Sequence, residues 1–429
     1  MELRALLVDY NGFFASCEKQ EQPELRDRPV GVIPTAADTT CIIAASYDAR
    51  RHGVKVGTSV ADAKRMCPGI ALIESRPEIY IRYHHKLLEA VNTCLPVTEV
   101  WSIDEVWCEF PPSWRNREKT LATARKLKRA IARIAGDQLT CSIGISGNPW
   151  LAKIASEMQK PNGLVILDEA DLPGRLFELE LRDLPGVGPS MHQRLLRAGI
   201  DTVEQLYACS SAKLRGIWGS VEGARMWERL RGRHVPLDRP QTSSLGHSHV
   251  LPPDLRNPAG AEATLHRLLQ KAAMRLRSVG HYAGGLHVAL RFRGCANRWG
   301  TAATFVDTQD TRELTRILRL LWTRRPQGQT AILGAGVHLF NLVPAGMHNA
   351  LLPGIVDNGD RRAGLNATID HINRKLGRNT VVYGGALGAL HYAPVRIAFT
   401  RIPDLDIEAG ETDGTLFPTQ AELARAQAL

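Results

Sequence analysis

A chain of 429 residues is long enough for two to four domains of roughly 100–200 residues each. With 44% hydrophobic and 23% charged residues it can bury real cores, which excludes wholesale disorder. Lys and Arg outnumber Asp and Glu by 54 to 44, for a net charge of +10, a balance that suits a polyanionic partner. The eight cysteines, at 17, 41, 67, 94, 108, 141, 209 and 295, include no C-x-x-C pair and read as buried free thiols of a reducing compartment. The opening MELRALLVDYNGFF has too short an apolar patch for a signal peptide. No apolar run reaches the roughly 18 residues of a membrane span. The expectation is a soluble, cytoplasmic protein.

Residues 3–9, LRALLVD, read as a buried strand ending in an acid. A helix is expected over Phe13–Gln20, then strands over 29–34 (PVGVIP) and 40–46 (TCIIAAS). Residues 47–52 and 58–67 read as helical, and Pro77–Cys94 as an amphipathic helix. WSIDEVWCEF at 101–110 alternates like a strand, and 117–135 carries a strongly basic helical pattern. A strand over 139–146, a helix over 149–159 and a short strand over 164–167 complete this part. Strands interleaved with amphipathic helices indicate a layered α+β fold.

From about 168 the pattern changes to short helices joined by Gly-containing turns, among them LPGVG at 184–188. RPQTSSLGHSH at 239–249 is polar and turn-rich and reads as a linker. Beyond it a helix (261–278), two strands (LHVALRFRG and ATFV), a helix (310–323) and a strand (GAGVHLFNLV) form a compact α+β module. A tail from about 350 holds one more helix, LNATIDHINRKLG. Residues 244–350 hold 13 Lys/Arg against 5 Asp/Glu, whereas 168–243 hold 11 of each. The positive excess therefore sits in the module after the linker, where it points to nucleic acid more strongly than a diffuse charge does.

Asp9 ends one apolar strand, and Asp104 with Glu105 lies in another. A carboxylate at the edge of an apolar strand is costly unless an Arg, a Lys or a metal pairs with it. Three acids on two neighbouring strands suit a hard cation, which takes oxygen ligands and leaves positions open for phosphates. Adjacent residues of a regular strand face opposite sides, so Asp104 and Glu105 can act together only where the strand bends. Taken alone, the three acids are also compatible with ordinary surface carboxylates.

The surrounding residues carry a resemblance. VDYNGFFASCE at 8–18 and SIDEVW at 102–107 resemble the two metal-binding motifs of Y-family translesion DNA polymerases. SYDARRHGVKVG at 46–57 is similar to that family's fingers motif, GISGNPWLAKIASEMQKPNG at 144–163 to its last palm motif, and LPGVG to the helix–hairpin–helix of its thumb. The resemblance implies an α+β multidomain right hand. Its palm would be 1–10 with 78–167, its fingers 11–77, its thumb 168–236, its linker 237–243 and its little finger 244–350, with a tail over 351–429. It implies two-metal phosphoryl transfer from a dNTP to a primer 3′-OH on a DNA template, with Mg²⁺ or alternatively Mn²⁺. The metal ligands and catalytic acids would be Asp9, Asp104 and Glu105, joined by the Tyr10 carbonyl.

By the same resemblance Phe14 is the steric gate against a 2′-OH, beside Phe13. Tyr47, Arg50 and Lys160 hold the triphosphate, and Gly57 and Cys41 roof the nascent base pair. Gly186 and Gly188 offer backbone N–H groups to a DNA phosphate, and Arg291 and Arg293 meet the DNA backbone. Asn11, in place of a second aspartate, and the segment at 369–385 resemble the polymerase V type, whereas Tyr47 and Arg50 resemble the polymerase IV type. A sliding clamp and a regulatory subunit are further expected partners, and GTLFP at 414–418 resembles a clamp-binding element. Two rival readings are a catalytically silent or accessory-dependent DNA-binding scaffold of the damage response and a nucleotidyl cyclase.

Overall fold

The computed structural model describes residues 2–235, 243–295, 298–328, 331–348, 359–377 and 379–392. These fall into two compact units, one built mainly from residues before 236 and one mainly from residues after 242.

The first unit begins with β1 (Ala5–Tyr10), buried at every position. It is followed by α1 (Phe13–Glu21), β2 (Val30–Ile33), β3 (Ala44–Ala45), α2 (Tyr47–Arg51), α3 (Val60–Met66) and β4 (Ala71–Glu74). Next come α4 (Pro77–Asn92), β5 (Glu99–Val100), β6 (Glu105–Glu109), α5 (Arg117–Ile134), β7 (Cys141–Ser146), α6 (Pro149–Met158) and β8 (Leu164–Ile166). One sheet has the order β5-β6-β1-β7-β8, and a smaller one β3-β2-β4. As its central strand, β1 is covered on both faces, which is why ALLVDY does not alternate. Its antiparallel registers set Asp9 opposite Glu105 on one side and opposite Ser142 on the other.

Helix α6 lies directly on β7 because Gly144 has no side chain: a Cβ there would stand 1.9 Å from the Ala152 carbonyl oxygen. Pro at its first turn and the Asn148 side chain, accepting from Leu151 N–H at 2.8 Å, fix where α6 begins. The smaller sheet packs α2 and α3 around Ile33, Ile42, Ala45, Ala49, Val60 and Ala63.

Five short helices follow: α7 (Gly174–Phe177), α8 (Pro189–Arg197), α9 (Val203–Ala208), α10 (Ser211–Trp218) and α11 (Glu222–Leu230). Thr202 and Ser210 cap α9 and α10. Their core, with Leu184, Leu195, Leu206, Leu214 and Met226, is continuous with Trp150, Leu151 and Ile154 of α6. The helix that carries part of the site is thus also wall to the helical subdomain.

The second unit comprises β9 (Ser244–Val250), α12 (Pro258–Ser278), β10 (His281–Phe292), β11 (Trp299–Thr308), α13 (Thr311–Thr323), β12 (Ile332–Pro344) and α14 (Gly359–Leu376). Its antiparallel sheet has the order β11-β10-β12-β9. Leu286, Val288, Leu290, Val337 and Leu339 alternate into one face, where they meet Leu265, Leu269, Leu276 and Leu318 of α12 and α13.

Three expectations are corrected. The strand expected over 40–46 shrinks to β3, because Ile42 and Cys41 are taken up by Thr58 and Ser59 in an irregular turn. The strand expected over 101–110 begins only at Glu105; residues 101 and 102 fold back to hydrogen-bond the Glu105 carbonyl. The polar stretch read as a linker contains β9, whose small residues pair with β12. Residues 237–242 of the expected linker lie outside the described residues.

The described tail is no appendage. Arg277 of α12 forms a two-pronged ion pair with Asp370 of α14, at 2.6 and 2.8 Å, and Ala389 joins the second unit's core. Small residues in GGALGALHY allow that close packing, and they leave no periodic signal. The GTLFP segment lies outside the described residues. Among them, no helix is long and apolar enough to cross a membrane.

Candidate active site

The ends of β1 and β6 bring Asp9 and Glu105 together. Asp9 is 4% exposed, and its carboxylate is held by two lysines. Lys153 Nζ of α6 donates to Oδ2 at 2.6 Å, and Lys160 Nζ lies 2.7 Å from Oδ1. Lys153 also donates to Glu105 Oε1 at 2.6 Å and Glu157 Oε1 at 2.5 Å, so all three of its N–H groups are engaged. Lys160 makes a second contact with Glu157 at 2.8 Å. Ligand oxygens of Asp9, Glu105 and Glu157 lie within 4.8 Å of one another.

Asp104 sits in the bend before β6. Its Oδ1 accepts from Ser102 Oγ at 2.6 Å, and its carbonyl accepts from Tyr10 N–H at 2.9 Å. Asp104 is thus outside the regular alternation of the strand, and its carboxylate is not among the three whose oxygens lie within 4.8 Å of one another.

The charges differ in kind. Burial alone would raise the Asp9 pKa, but Lys153 and Lys160 override it and hold the carboxyl below its usual range. Burial pushes Glu105 upward, only partly offset by Lys153. Burial likewise raises Asp104, with the Asp9 charge adding to it. Lys153 is desolvated, yet its acidic neighbours drive its pKa upward. The donors are all oxygens, a set that fits a hard divalent cation.

Phe14 is half-buried and stacks on Tyr80, with ring centroids 4.3 Å apart and planes 14° apart. Tyr80 donates to the fully buried Glu18 at 2.7 Å, and Arg76 also pairs with that carboxylate. Phe13 is 3% exposed, and its ring packs in the core between those of Tyr10 and Phe14. Arg50 stacks its guanidinium over Tyr47 at 4.5 Å and donates to the Ala45 carbonyl at 3.2 Å. Burial raises the Tyr47 pKa, and the fields of Lys160 and Asp9 also reach it. Cys41 and Gly57 are both exposed.

Gly186 has φ of 92°, a conformation that favours glycine, and Gly188 caps the start of α8. A cavity of about 730 Å³ runs from Lys153 and Glu157 to Leu184, Gly186 and Gly188. In the second unit, Arg291 and Arg293 are exposed on either side of buried Phe292, and their charges depress the pKa of Arg256 in addition to its burial.

Lys153, Glu157 and Lys128 are not singled out by the sequence. Lys153 and Glu157 stand four apart on one helix, the spacing of an ion pair. Lys128 donates to both the carbonyl and the side-chain oxygen of Asn162 at 2.7 Å. Asn11, legible only as a departure from a motif, is buried beside it. Its Oδ1 accepts from Asn162 N–H at 2.7 Å, and its Nδ2 donates to Ser142 at 2.9 Å. Together Lys128 and Asn11 fix the turn that follows Lys160.

His84, 1% exposed, braces the acidic bend by donating from Nδ1 to the Ile103 carbonyl at 2.8 Å. Burial lowers its pKa to about 4. The unfolded chain takes up a proton near pH 6.5 while the folded chain does not, so stability falls as pH drops from 6.5 toward 4. The expected loss from this residue is about 2 kcal/mol by pH 5. Urea unfolding at pH 7 and pH 5 checks this, and His84→Gln should lose less stability over that interval than the native chain.

A mixed palm-like sheet with acids at its strand ends, a smaller subdomain carrying a Tyr–Arg pair and a helical subdomain define a right-hand polymerase. Residues 8–157 and 242–351 match the models of the impB/mucB/samB family and its C-terminal domain, and residues 182–233 match the thumb domain of DNA polymerase iota. The chain is 34% identical over 384 residues to the DNA polymerase IV of Moorella thermoacetica, covering 88% of this chain and 94% of that one. It is 30% identical over 363 residues to that of Serratia proteamaculans, covering 81% and 98%. A solved Y-family DNA polymerase chimera of Dbh and Dpo4 shares the fold, with a TM-score of 0.67 at 23% identity over 80% of this chain and all of that one. An insertion ternary complex of Dbh DNA polymerase matches with a TM-score of 0.53 over the same shares. The chain belongs to the Y family of translesion DNA polymerases.

Proposed function

We propose that the chain is a template-directed, error-prone DNA polymerase that extends a primer past damaged template bases. The observation that carries this reading is the convergence of Asp9 and Glu105, in register, with Asp104 in the adjoining bend. Curated relatives named DNA polymerase IV support it.

Asp9, Asp104, Glu105 and the Tyr10 carbonyl would hold two Mg²⁺ ions, with Mn²⁺ as a substitute. The ions would supply Lewis acidity to the attacking 3′-oxygen and the departing pyrophosphate. The chain's own residues position the reactants and neutralise charge, with no covalent nucleophile. Arg50 offers a planar fork to phosphate oxygens and Lys160 a point charge, with Tyr47 beside them. Phe14 lies under the sugar and excludes a 2′-OH.

The N-terminus of α8, with Gly186 and Gly188, offers N–H groups to a backbone phosphate. Arg291 and Arg293, with Arg256, grip the duplex without reading its sequence. On this reading residues 1–10 with 78–167 act as palm, 11–77 as fingers, 168–236 as thumb and 244–350 as little finger. The described elements beyond 350 extend the little finger. The protein works in the cytoplasm. A sliding clamp and a regulatory subunit are further partners on this reading, carried only by the GTLFP element and the likeness of 369–385 to the polymerase V type.

The test is extension of a primer across an abasic template position with Mg²⁺ and all four dNTPs. Full-length product is expected. Extension that always stops before the lesion, on a template otherwise copied, would exclude bypass.

A further inference from the structure

Lys153 stands against two of the three proposed metal ligands. Its ammonium group draws on Asp9 Oδ2 and Glu105 Oε1, each at 2.6 Å. A Mg²⁺ ion held by these acids would draw on the same two carboxylates. Both cations cannot stand against one pair of oxygens in a poorly solvated site, because their repulsion there is only weakly screened. Asp9 is buried and Glu105 half-buried, so neither can turn to water to serve both.

The third partner of Lys153 is of another kind. Glu157 is exposed, sits one turn further along the same helix and also receives Lys160. It offers Lys153 an anion that is no part of the Asp9–Asp104–Glu105 set.

We propose that Lys153 is a built-in counter-ion for the acid cluster, which a divalent ion must displace toward Glu157 before the site is assembled. The inference rests on the metal-site reading above. It gives the chain a folded, charge-satisfied state without metal, at the cost of weaker metal binding. Lys153 is then a positioning residue: it sets when the acids are free, and it need not touch the substrate.

The experiment is Mn²⁺ binding to the full chain without DNA, followed by the loss of the free-ion paramagnetic resonance signal. Lys153→Met keeps the length of the side chain and removes the charge, and it is expected to bind Mn²⁺ at least about tenfold more tightly. Mg²⁺ should also raise the melting temperature of Lys153→Met by more than that of the native chain. Equal or weaker binding by folded Lys153→Met would overturn the inference.

Should Lys153→Met fail to fold, the native chain answers the question by acylation of its lysines and mass spectrometry. Mg²⁺ is expected to increase labelling at Lys153 several-fold, by taking away two of its three acceptors. Unchanged labelling would overturn the proposal. Asp9→Asn separates the two readings: if it leaves Mn²⁺ binding as tight as in the native chain, the metal-site assignment itself fails.

Discussion

Asp9→Asn is expected to lower the rate of primer extension by about 10³-fold or more, the scale of losing several kcal/mol of transition-state charge stabilisation. The substitution keeps the shape of the side chain, so the effect isolates the charge. Asp9 is the penultimate residue of the central strand, lies opposite Glu105 in register and is the acceptor of both Lys153 and Lys160. Among the described residues, no other acid of β1 stands near that point. Affinity for primer-template should be nearly unchanged, because the proposed DNA contacts lie elsewhere. Single-turnover extension together with fluorescence anisotropy of labelled duplex checks both halves. A rate within tenfold of the native one would remove Asp9 from the chemistry.

The second large effect concerns the sugar. Phe14→Ala is expected to increase ribonucleotide incorporation relative to deoxyribonucleotide by about 10²-fold or more, since rejection of an added hydroxyl then loses its steric contact. Phe14 is held from behind by Tyr80, which is itself anchored on Glu18. The ring therefore cannot simply yield to a bulkier sugar. Truncation leaves Tyr80 in place and should cost little fold stability, because Phe14 is only half-buried. Competition between dCTP and CTP opposite a template guanine gives the ratio. Unchanged discrimination would assign the gate to another side chain.

Much of this site is legible in the sequence, for physical reasons that differ by residue. β1 is legible as a short apolar run closed by an acid, because a strand buried on both faces leaves a carboxylate only at its end. Tyr47 and Arg50 are legible only through the motif around them, because three-residue spacing on a short helix is common. The bend at Asp104 escapes a periodicity argument. It is made by a side-chain hydrogen bond from Ser102 and by backbone bonds to Glu105, neither of which alters hydrophobic alternation. Lys153 and Glu157 carry a legible signal, an i,i+4 pair within the palm motif, but their meeting with Asp9 and Glu105 is long-range. Strand β9 reads as a linker because SLGHSHV is polar and small. Its stability comes from pairing with β12, a partner distant in the chain. The packing of the tail onto α12 likewise rests on Arg277 finding Asp370, which no local pattern announces.

The most direct test of the central claim is single-dNTP addition to a primer on four templates that differ in the next base, with Mg²⁺, for the native chain and Asp104→Ala. The native chain is expected to add the nucleotide complementary to each template base in preference to the others. That addition should disappear in Asp104→Ala while the duplex is still bound. Addition that ignores the template base, or that survives in Asp104→Ala, would contradict a templated, metal-dependent polymerase built on these three acids.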